Sequence, residues 1–519
     1  MSNYRIGVDV GGTNTDAVLL DEQMNVIAET KRKTEADVSQ SIALSLSEVV
    51  NQVNIPRDQI THAMLGTTHC TNAIVERKNL NKVGIIRIGA PASLAVEPLI
   101  GFPEDLQQLM GDQVFVVQGG HEFDGREIVP LDEDSIVEAA EKMKEHVDSV
   151  AITSIFSPVT QAHEKRAVEI VQDVLGAAIP VSLSSEIGSV GLIERENATI
   201  LNAAVVNVAK SMAEGFIAAV KAEGISCEVY FGQNDGTLMS LDYAMKYPIY
   251  TIACGPTNSL RGASYLANIE NGIVLDVGGT TADLGVLVDT FPRESALAVE
   301  IGEVRTNFRM PDLVSIGLGG GTIIRVQEDG TFEIGPDSVG YRLTEKALVF
   351  GGDTLTTTDI AVALGKADIG EKKHVEHLDK KLVEKIYAEM VDMAEKAIDQ
   401  MKTSQEPEPV ILVGGGSILF PNELAGASTV IKPENFGVAN AIGSAISQVS
   451  GQVERIYSLD QTGRAEALKE AKQLALDEAI AAGADPATCN IVDVEDVPLA
   501  YLPGNATRIR VKAAGDLKK

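Results

Sequence analysis

One segment occurs twice in this 519-residue chain, and it constrains the fold more than any other feature. Ile6-Gly-Val-Asp9-Val-Gly11-Gly12-Thr13-Asn14-Thr-Asp16-Ala-Val-Leu-Leu20 is echoed by Ile273-Val-Leu-Asp276-Val-Gly278-Gly279-Thr280-Thr281-Ala-Asp283-Leu-Gly-Val-Leu287. Each copy reads as an apolar strand, a Gly-Gly turn and a second apolar strand, the pattern of a β-hairpin. Two copies this far apart imply two similar domains facing one another, not a solenoid. A Gly-Gly turn carries no Cβ, so a phosphate can come close to its backbone and meet inward-pointing N–H groups. The adjacent hydroxyls of Thr13 and Thr280 can add hydrogen bonds. Asp9 and Asp276, at the ends of the first strands, would face one another across a closed cleft. Mg²⁺ takes one or two carboxylates plus waters and phosphate oxygens, so this pair suits it. A single copy would read as an ordinary hairpin; two point to a nucleotide triphosphate with Mg²⁺ held between related halves.

Around the hairpins, strands and helices alternate. A helix is expected near residues 38–53 and a strand-to-helix unit at 64–77. Strands are expected at 83–88, 114–118, 150–156 and 181–183, with helices at 135–145, 163–175 and 198–222 between or after them. That alternation indicates an α/β fold. Beyond the second hairpin, residues 322–334 read as a hairpin about an Asp-Gly turn, and Leu378 to Met401 recur at helical spacing. A strand at 410–413 runs into Gly414-Gly415-Gly416-Ser417. The expected division is 1–180 for the first half with an inserted α/β segment and 181–455 for the second half. Residues 456–519 are expected to form a small accessory α/β unit, built on a Glu- and Lys-rich helix at 464–482.

Composition excludes several partners. The net charge of −31 repels the phosphates of nucleic acids and anionic membranes. With no tryptophan and 4% aromatic residues, base-stacking platforms are not expected either. Bound phosphate must therefore be held locally, by backbone N–H groups and metal. The four cysteines form no C-x-x-C pair, which favours a reduced, cytoplasmic protein. The N-terminus reads directly as a strand, so no leader is expected. The apolar run at 198–220 contains Asn202, Asn207, Lys210 and Glu214, and reads as a buried helix rather than a membrane span.

Further glycine clusters fit the same cleft. Gly319 and Gly320, within Ser315–Thr322, could form another phosphate-side turn, and Gly414, Gly415, Gly416 and Ser417 suit close approach to an adenosine. Thr67, Thr68 and Asn72 belong to a segment dense in small polar groups ahead of a helix, which reads equally as a packed cap or as part of the cleft. His121 to Arg126 reads as an exposed Asp-Gly turn. Cys254 has no identifiable histidine partner and reads as structural.

The paired hairpins with a late G-G-G-S turn resemble the superfamily of actin, sugar kinases and heat-shock chaperone ATPases. Within it the chain resembles the hydantoinase A/oxoprolinase family over most of residues 4–450. The resemblance is carried by residues 7–21, Gly66-Thr-Thr-His-Cys-Thr-Asn72-Ala-Ile-Val-Glu-Arg77, Glu194-Arg-Glu-Asn-Ala-Thr-Ile-Leu-Asn202-Ala, Gly255-Pro256, residues 276–283, Gly317-Leu-Gly-Gly-Gly321 and Thr356-Thr-Thr-Asp359. It implies two duplicated ribonuclease H-like (actin-like ATPase) domains around a nucleotide cleft. It also implies an ATP-dependent amidohydrolase of a cyclic amide, such as a hydantoin or 5-oxoproline, phosphorylated on its carbonyl oxygen. On that resemblance Asp9 and Asp276 position Mg²⁺, both hairpins hold ATP phosphates, and Thr67, Thr68 and Asn72 are candidates for the cleft. A hydantoinase B-like partner subunit and an oligomeric assembly are implied. The alternatives are the ATP-using subunit of a ketone carboxylase and a nucleotide-dependent switch or assembly protein. The family's Gly-Phe-Arg-Asp stretch is absent, and Cys254-Gly-Pro-Thr-Asn-Ser259 replaces its S-G-P-A-G-G.

Overall fold

The computed structural model describes residues 3–35, 37–188, 190–295, 299–307, 310–500 and 502–518. Both hairpins form, and they form alike. Gly11 N–H donates to Asn14 O and Gly278 N–H to Thr281 O, each at 2.9 Å. The registers also match, with Asp9 opposite Asp16 and Asp276 opposite Asp283. The strand Tyr4–Val10 pairs in parallel with Ile60–Thr67, and Gly272–Val277 pairs in parallel with Glu408–Val413. An antiparallel hairpin followed by parallel strands is the ribonuclease H-like order, present in both halves of an α/β protein.

The first sheet has nine strands and gathers them from distant parts of the chain. Val26–Lys33, Asn14–Leu20, Tyr4–Val10 and Ile60–Thr67 are followed by Glu228–Gly232, Leu238–Ser240, Val449–Ser458, Ala506–Gly515 and Asn490–Pro498. The expected division after residue 180 is therefore not where the sheets divide, because Glu228–Gly232 and Leu238–Ser240 complete the first half. Nor do the tail strands form a sheet of their own. Val449–Ser458 pairs with Ala506–Gly515 along its whole length, which joins the tail to the first sheet. The helix Arg464–Ala481 packs there through Ala467, Ala471, Ala475 and Ala479. Small side chains let it lie against the strand, where a Cβ on Gly451 would fall 2.2 Å from Ala479 N. An alanine stripe bears little hydrophobic contrast, so periodicity alone did not tie this helix to the sheet.

Within the first half, between its strands Ile60–Thr67 and Glu228–Gly232, a four-stranded parallel sheet is inserted in the order Val114–Gln118, Val83–Ala90, Ser149–Ser154, Val181–Leu183. The helix Leu192–Ala222 joins it to the first sheet. Its 31 residues extend about 46 Å at 1.5 Å per residue, long enough to enter two cores. Ala198 to Ala209 pack with Val83, Ile85 and Ala151, while Met212 to Val220 pack with Ile6, Val8, Ile42 and Leu46. This explains a helix apolar on nearly every face. By length and composition it could cross a membrane, yet 61% of its apolar window is buried inside the fold.

The second sheet runs Phe291–Pro292, Ala282–Val288, Gly272–Val277, Glu408–Val413, Ala427–Ile431, with Leu313–Ile316 also paired to Ala282–Val288. The hairpin Thr322–Val326 and Phe332–Ser338 forms about Gly330 as expected. Two helices, Cys254–Ala267 and Ala439–Ile446, cross between the major sheets. A Cβ on Gly262 would lie 1.8 Å from Ala439 O, and one on Gly443 would lie 1.8 Å from Asn258 O. The helices therefore touch backbone to backbone. Ala439–Ile446 lies equally close to the first hairpin, where a Cβ on Gly7 would fall 2.2 Å from Ala441 O.

Gly262→Ala and Gly443→Ala should each force the helices apart. Overpacking of a tight contact costs about 1–3 kcal/mol and sometimes more, so each variant should unfold at lower denaturant concentration than the wild type. A Gly437→Ala control, where a Cβ meets nothing within 4 Å, should not. Equal midpoints for all three variants would contradict the crossing.

Candidate functional site

The two Gly-Gly turns meet at one cavity of about 390 Å³. They face each other at close range, since a Cβ on Gly279 would lie 3.5 Å from Thr13 Cγ2. Gly11, Gly12, Thr13 and Asn14 line it from one side, and Gly278, Gly279, Thr280 and Thr281 from the other. Gly320 and the run Gly414, Gly415, Gly416 complete the glycine surface, while Leu343, Ile369, Ile418, Leu419 and Phe436 give it apolar walls. A pocket with phosphate-sized backbone turns and an apolar wall has the chemistry of a nucleotide site.

Gly414 illustrates why glycine is required here. Its φ is +80°, and a Cβ would fall 2.3 Å from Asp276 Oδ1 and 2.5 Å from Val277 O. The cluster at 317–321 works differently from the expected phosphate turn. Gly320 N–H donates to Gly278 O at 3.0 Å and Gly321 N–H to Gly279 O at 2.7 Å, so this run braces the second turn from behind. Gly319 packs against Thr280 and is not part of the cavity wall. Ser417 is also turned away; its hydroxyl is buried, with no hydrogen-bond partner among the described residues. The turn after Gly414 is a short 3-10 helix, Gly415–Leu419.

Among the described residues, three carboxylates line the cavity, Asp16, Asp276 and Asp283, against the one ammonium of Lys31. Lys31 Nζ donates to both oxygens of Asp16 at 2.8 Å. Asp9 is set behind them and is almost fully buried. Asn258 Nδ2 donates to its Oδ1 at 3.3 Å and Asn440 Nδ2 to its Oδ2 at 3.0 Å. The Asn440 amide also reaches Asp16 Oδ2 at 2.9 Å, so one side chain ties the two carboxylates together. Burial pushes Asp9 up to about 6, nearby Asp16 adds to the push, and the two amides oppose it. Burial likewise raises Asp283 to about 6, against a hydrogen bond from Ser315. Asp16 and Asp276 are raised by burial as well, with Lys31 pulling Asp16 down and Ser259 pulling Asp276 down.

The residues that could hold a metal against a ligand here are Asp16, Asp276 and Asp283. They do not form a ready-made cage. Among the described residues, the group of three close metal-capable side chains is His121, Glu127 and His163 in the inserted unit. There Gly120 N–H donates to His163 Nδ1 at 3.0 Å, and His163 Nε2 lies 3.1 Å from Glu127 Oε1, the pattern of a neutral imidazole donating to a carboxylate. His121 itself is buried against His163, not exposed as its turn sequence suggested.

The segment after Gly66 divides between two environments. The Thr67 side chain is buried and accepts from His69 N–H at 3.0 Å, so it faces neither cavity. Cys254 Sγ–H donates to Thr67 O at 2.9 Å and accepts from Thr67 N–H at 3.1 Å. Burial raises that thiol far above its usual range, consistent with a structural role. Thr68 and Asn72 line a second cavity of about 230 Å³ with His69, Glu76 and Lys78. Gly11 and Gly12 belong to the walls of both cavities, so the first turn partitions them. Asp16, Asp283, Lys31, Asn258 and Asn440 were not singled out as site residues from sequence. The repeated final aspartate of each hairpin motif was the available signal for the first two; the others come from segments with no motif.

Two family models match the chain: hydantoinase/oxoprolinase N-terminal region over residues 5–175, and hydantoinase/oxoprolinase over residues 195–403, together more than two-thirds of its length. The chain is 27% identical over 396 residues to the caprolactamase subunit alpha of Pseudomonas jessenii, covering 70% of this chain and 54% of that protein. It is 26% identical over 394 residues to the acetophenone carboxylase gamma subunit of Aromatoleum aromaticum, covering 69% and 53% respectively. It thus spans about half the length of the curated relatives it matches. The solved structure of the ATP-dependent caprolactamase from Pseudomonas jessenii superposes with a TM-score of 0.80 at 19% identity, over 99% of this chain and 88% of that one. At that identity the likeness shows the fold alone.

The raised carboxylates predict a pH signature in the ligand-free protein. A folded carboxyl with a raised pKa binds its proton more tightly than the unfolded one, so its contribution to stability falls as pH rises through that interval. For Asp283 the interval runs from its ordinary 3.8 to about 6. Asp283→Asn removes this loss. Its stability relative to wild type should rise by about 1–3 kcal/mol between about pH 4 and pH 7, read from denaturant unfolding; a pH-independent difference would contradict the assignment.

Proposed function

The chain belongs to the hydantoinase/oxoprolinase family, and on that premise we propose that it is the ATP-using component of an ATP-dependent hydrolase of a cyclic amide. Hydantoin, 5-oxoproline and related lactams are the substrate class. The observation that carries this reading is the pair of opposed Gly-Gly turns closing on one cavity, at Thr13 and Gly279. In the proposed reaction the amide carbonyl oxygen attacks the γ-phosphorus of ATP and the bond to ADP breaks. Water then adds to the activated carbon, the ring C–N bond opens and phosphate departs. The turns supply backbone donors for the phosphates, and the apolar wall beside Gly414–Gly416 accommodates the base.

The donor set fits Mg²⁺. Three carboxylates and one ammonium line the cavity, leaving an excess of negative charge that a polyphosphate would increase. A dication relieves both, and Mg²⁺ commonly takes one or two carboxylates with the rest of its shell from water and phosphate. Asp276 keeps the ligand role expected from sequence. We assign the opposing role to Asp16 rather than Asp9, because Asp16 lines the cavity while Asp9 is set behind it, held by the amides of Asn258 and Asn440. When bound, the ion would neutralise charge developing on the transferred phosphoryl group.

A partner subunit of the hydantoinase B kind is part of the proposal. It is supported by the subunit names of the matched relatives. The acetophenone carboxylase relative supports a second reading, in which the phosphorylated acceptor is a ketone enolate to be carboxylated. Both readings require ATP turnover that depends on an acceptor.

Purified protein, alone and with its partner subunit, should hydrolyse ATP slowly, and a cyclic amide from the stated class should accelerate it. Acceleration by a ketone with bicarbonate instead would select the second reading, and tight binding without turnover under either condition would overturn both. Asp16→Asn and Asp276→Asn should each lower the stimulated rate by about 10²-fold or more, the scale for losing a charge-stabilising group. Wild-type rates in both variants would remove the Mg²⁺ assignment.

A further inference from the structure

The second cavity shares the Gly11-Gly12 turn with the first as a common wall. If a γ-phosphate rests on that turn, the second cavity is where an acceptor can approach it from the other side. Its volume of about 230 Å³ is below the 300–1,000 Å³ common for drug-sized ligands and suits one small ring. Its polar lining includes the Thr68 hydroxyl and the Asn72 amide, which are tied loosely to one another at 3.4 Å. Glu35, Glu76 and Lys78 are its charged groups, and Lys78 pairs with Glu76 at 2.9 Å.

His69 differs from these neighbours. It is half-buried in the cavity wall. Its backbone N–H is held by the Thr67 hydroxyl, but no hydrogen bond or ion pair of its ring occurs among the described residues. Burial lowers its pKa below the usual histidine value, against an upward pull from Glu76, so the ring is a neutral base at neutral pH. Phosphorylating an amide on oxygen needs such a base. As the carbonyl oxygen bonds to phosphorus and ADP leaves, the lactam nitrogen becomes cationic, and losing its proton gives an imidate phosphate with a neutral nitrogen.

We propose that the cavity formed by Thr68, His69 and Asn72 is the acceptor subsite, and that His69 is the catalytic base that takes the acceptor's proton. This rests on the proposed ATP-dependent reading. The amide N–H proton moves to the free imidazole nitrogen during phosphoryl transfer. It returns to the ring nitrogen when water adds and the C–N bond breaks, so the imidazole is regenerated each turnover. A ketone acceptor would lose its α-C–H proton to the same group.

The test compares wild type with His69→Ala and His69→Gln in the full chain with its partner subunit. The probes are ε-caprolactam, 5-oxoproline, hydantoin, and acetone with bicarbonate. ATP-analogue affinity and thermal unfolding should stay at wild-type values in both variants. Probe-stimulated ATP turnover should fall by at least tenfold, and added imidazole should restore part of it in His69→Ala. In histidine-labelled protein, the signal lost in His69→Gln should shift when the stimulating probe is added. If a probe stimulates wild type and the variants match it, with no shift, the His69 proposal is overturned while the ATP-dependent reading stands. If no probe stimulates wild-type turnover, that reading fails. If in addition no probe shifts the His69 signal, the subsite fails with it.

Discussion

The helices Cys254–Ala267 and Ala439–Ile446 cross with glycine against carbonyl at both contact points, Gly262 on Ala439 and Gly443 on Asn258. Removing two side chains from the crossing brings the helix axes close, and each helix is also packed on a hairpin. Gly7 accommodates Ala439–Ile446, and Gly285 accommodates Leu260 of the other helix. The separation of the two sheets is thereby set by backbone contact, which deforms little. The meeting of Thr13 with Gly279 is a consequence of that spacing.

The same helices carry the groups that manage the buried charge. Asn258 and Ser259 come from one, and Asn440 from the other. Asn258 and Asn440 each donate to Asp9, Asn440 bridges to Asp16, and Ser259 supports Asp276. A cluster of carboxylates this deep is costly to ionise without compensation. Lys31 supplies one positive charge and the amides supply dipoles, yet all four aspartates remain raised. The residual strain is electrostatic and has the sign that a bound cation relieves. Gly66 shows how tightly the arrangement is drawn, because a Cβ there would fall 2.3 Å from Asp9 Oδ1 and 2.4 Å from Asn258 Nδ2.

The hairpins, their turn glycines and the Gly414–Gly416 run were legible because local sequence dictates them. A Gly-Gly between apolar strands has few alternatives, and its repetition placed both turns in one cleft. What escaped was set by contacts between distant segments. Strands at Glu228–Gly232 and Ala506–Gly515 look like any others until a sheet edge claims them. Lys31 and Asn440 stand in no motif and gain their roles from lying beside Asp16. Asp9 carried the stronger motif signal as a first-strand terminus, but its oxygens meet Asn258 and Asn440 of the helix pair, while Asp16, its partner on the same face of the hairpin, lines the cavity. Thr67 and Thr68 are adjacent in sequence and diverge because the strand ends between them, with Thr68 capping the helix His69–Val75.

The central claim is that both turns grip one ligand, and calorimetric titration with a non-hydrolysable ATP analogue and Mg²⁺ tests it directly. Gly12→Asp and Gly279→Asp each place a carboxylate at one turn while leaving the other intact. The account predicts one nucleotide per chain in wild type and at least tenfold weaker binding in each variant. Two nucleotides per chain, or full affinity in either variant, would contradict it.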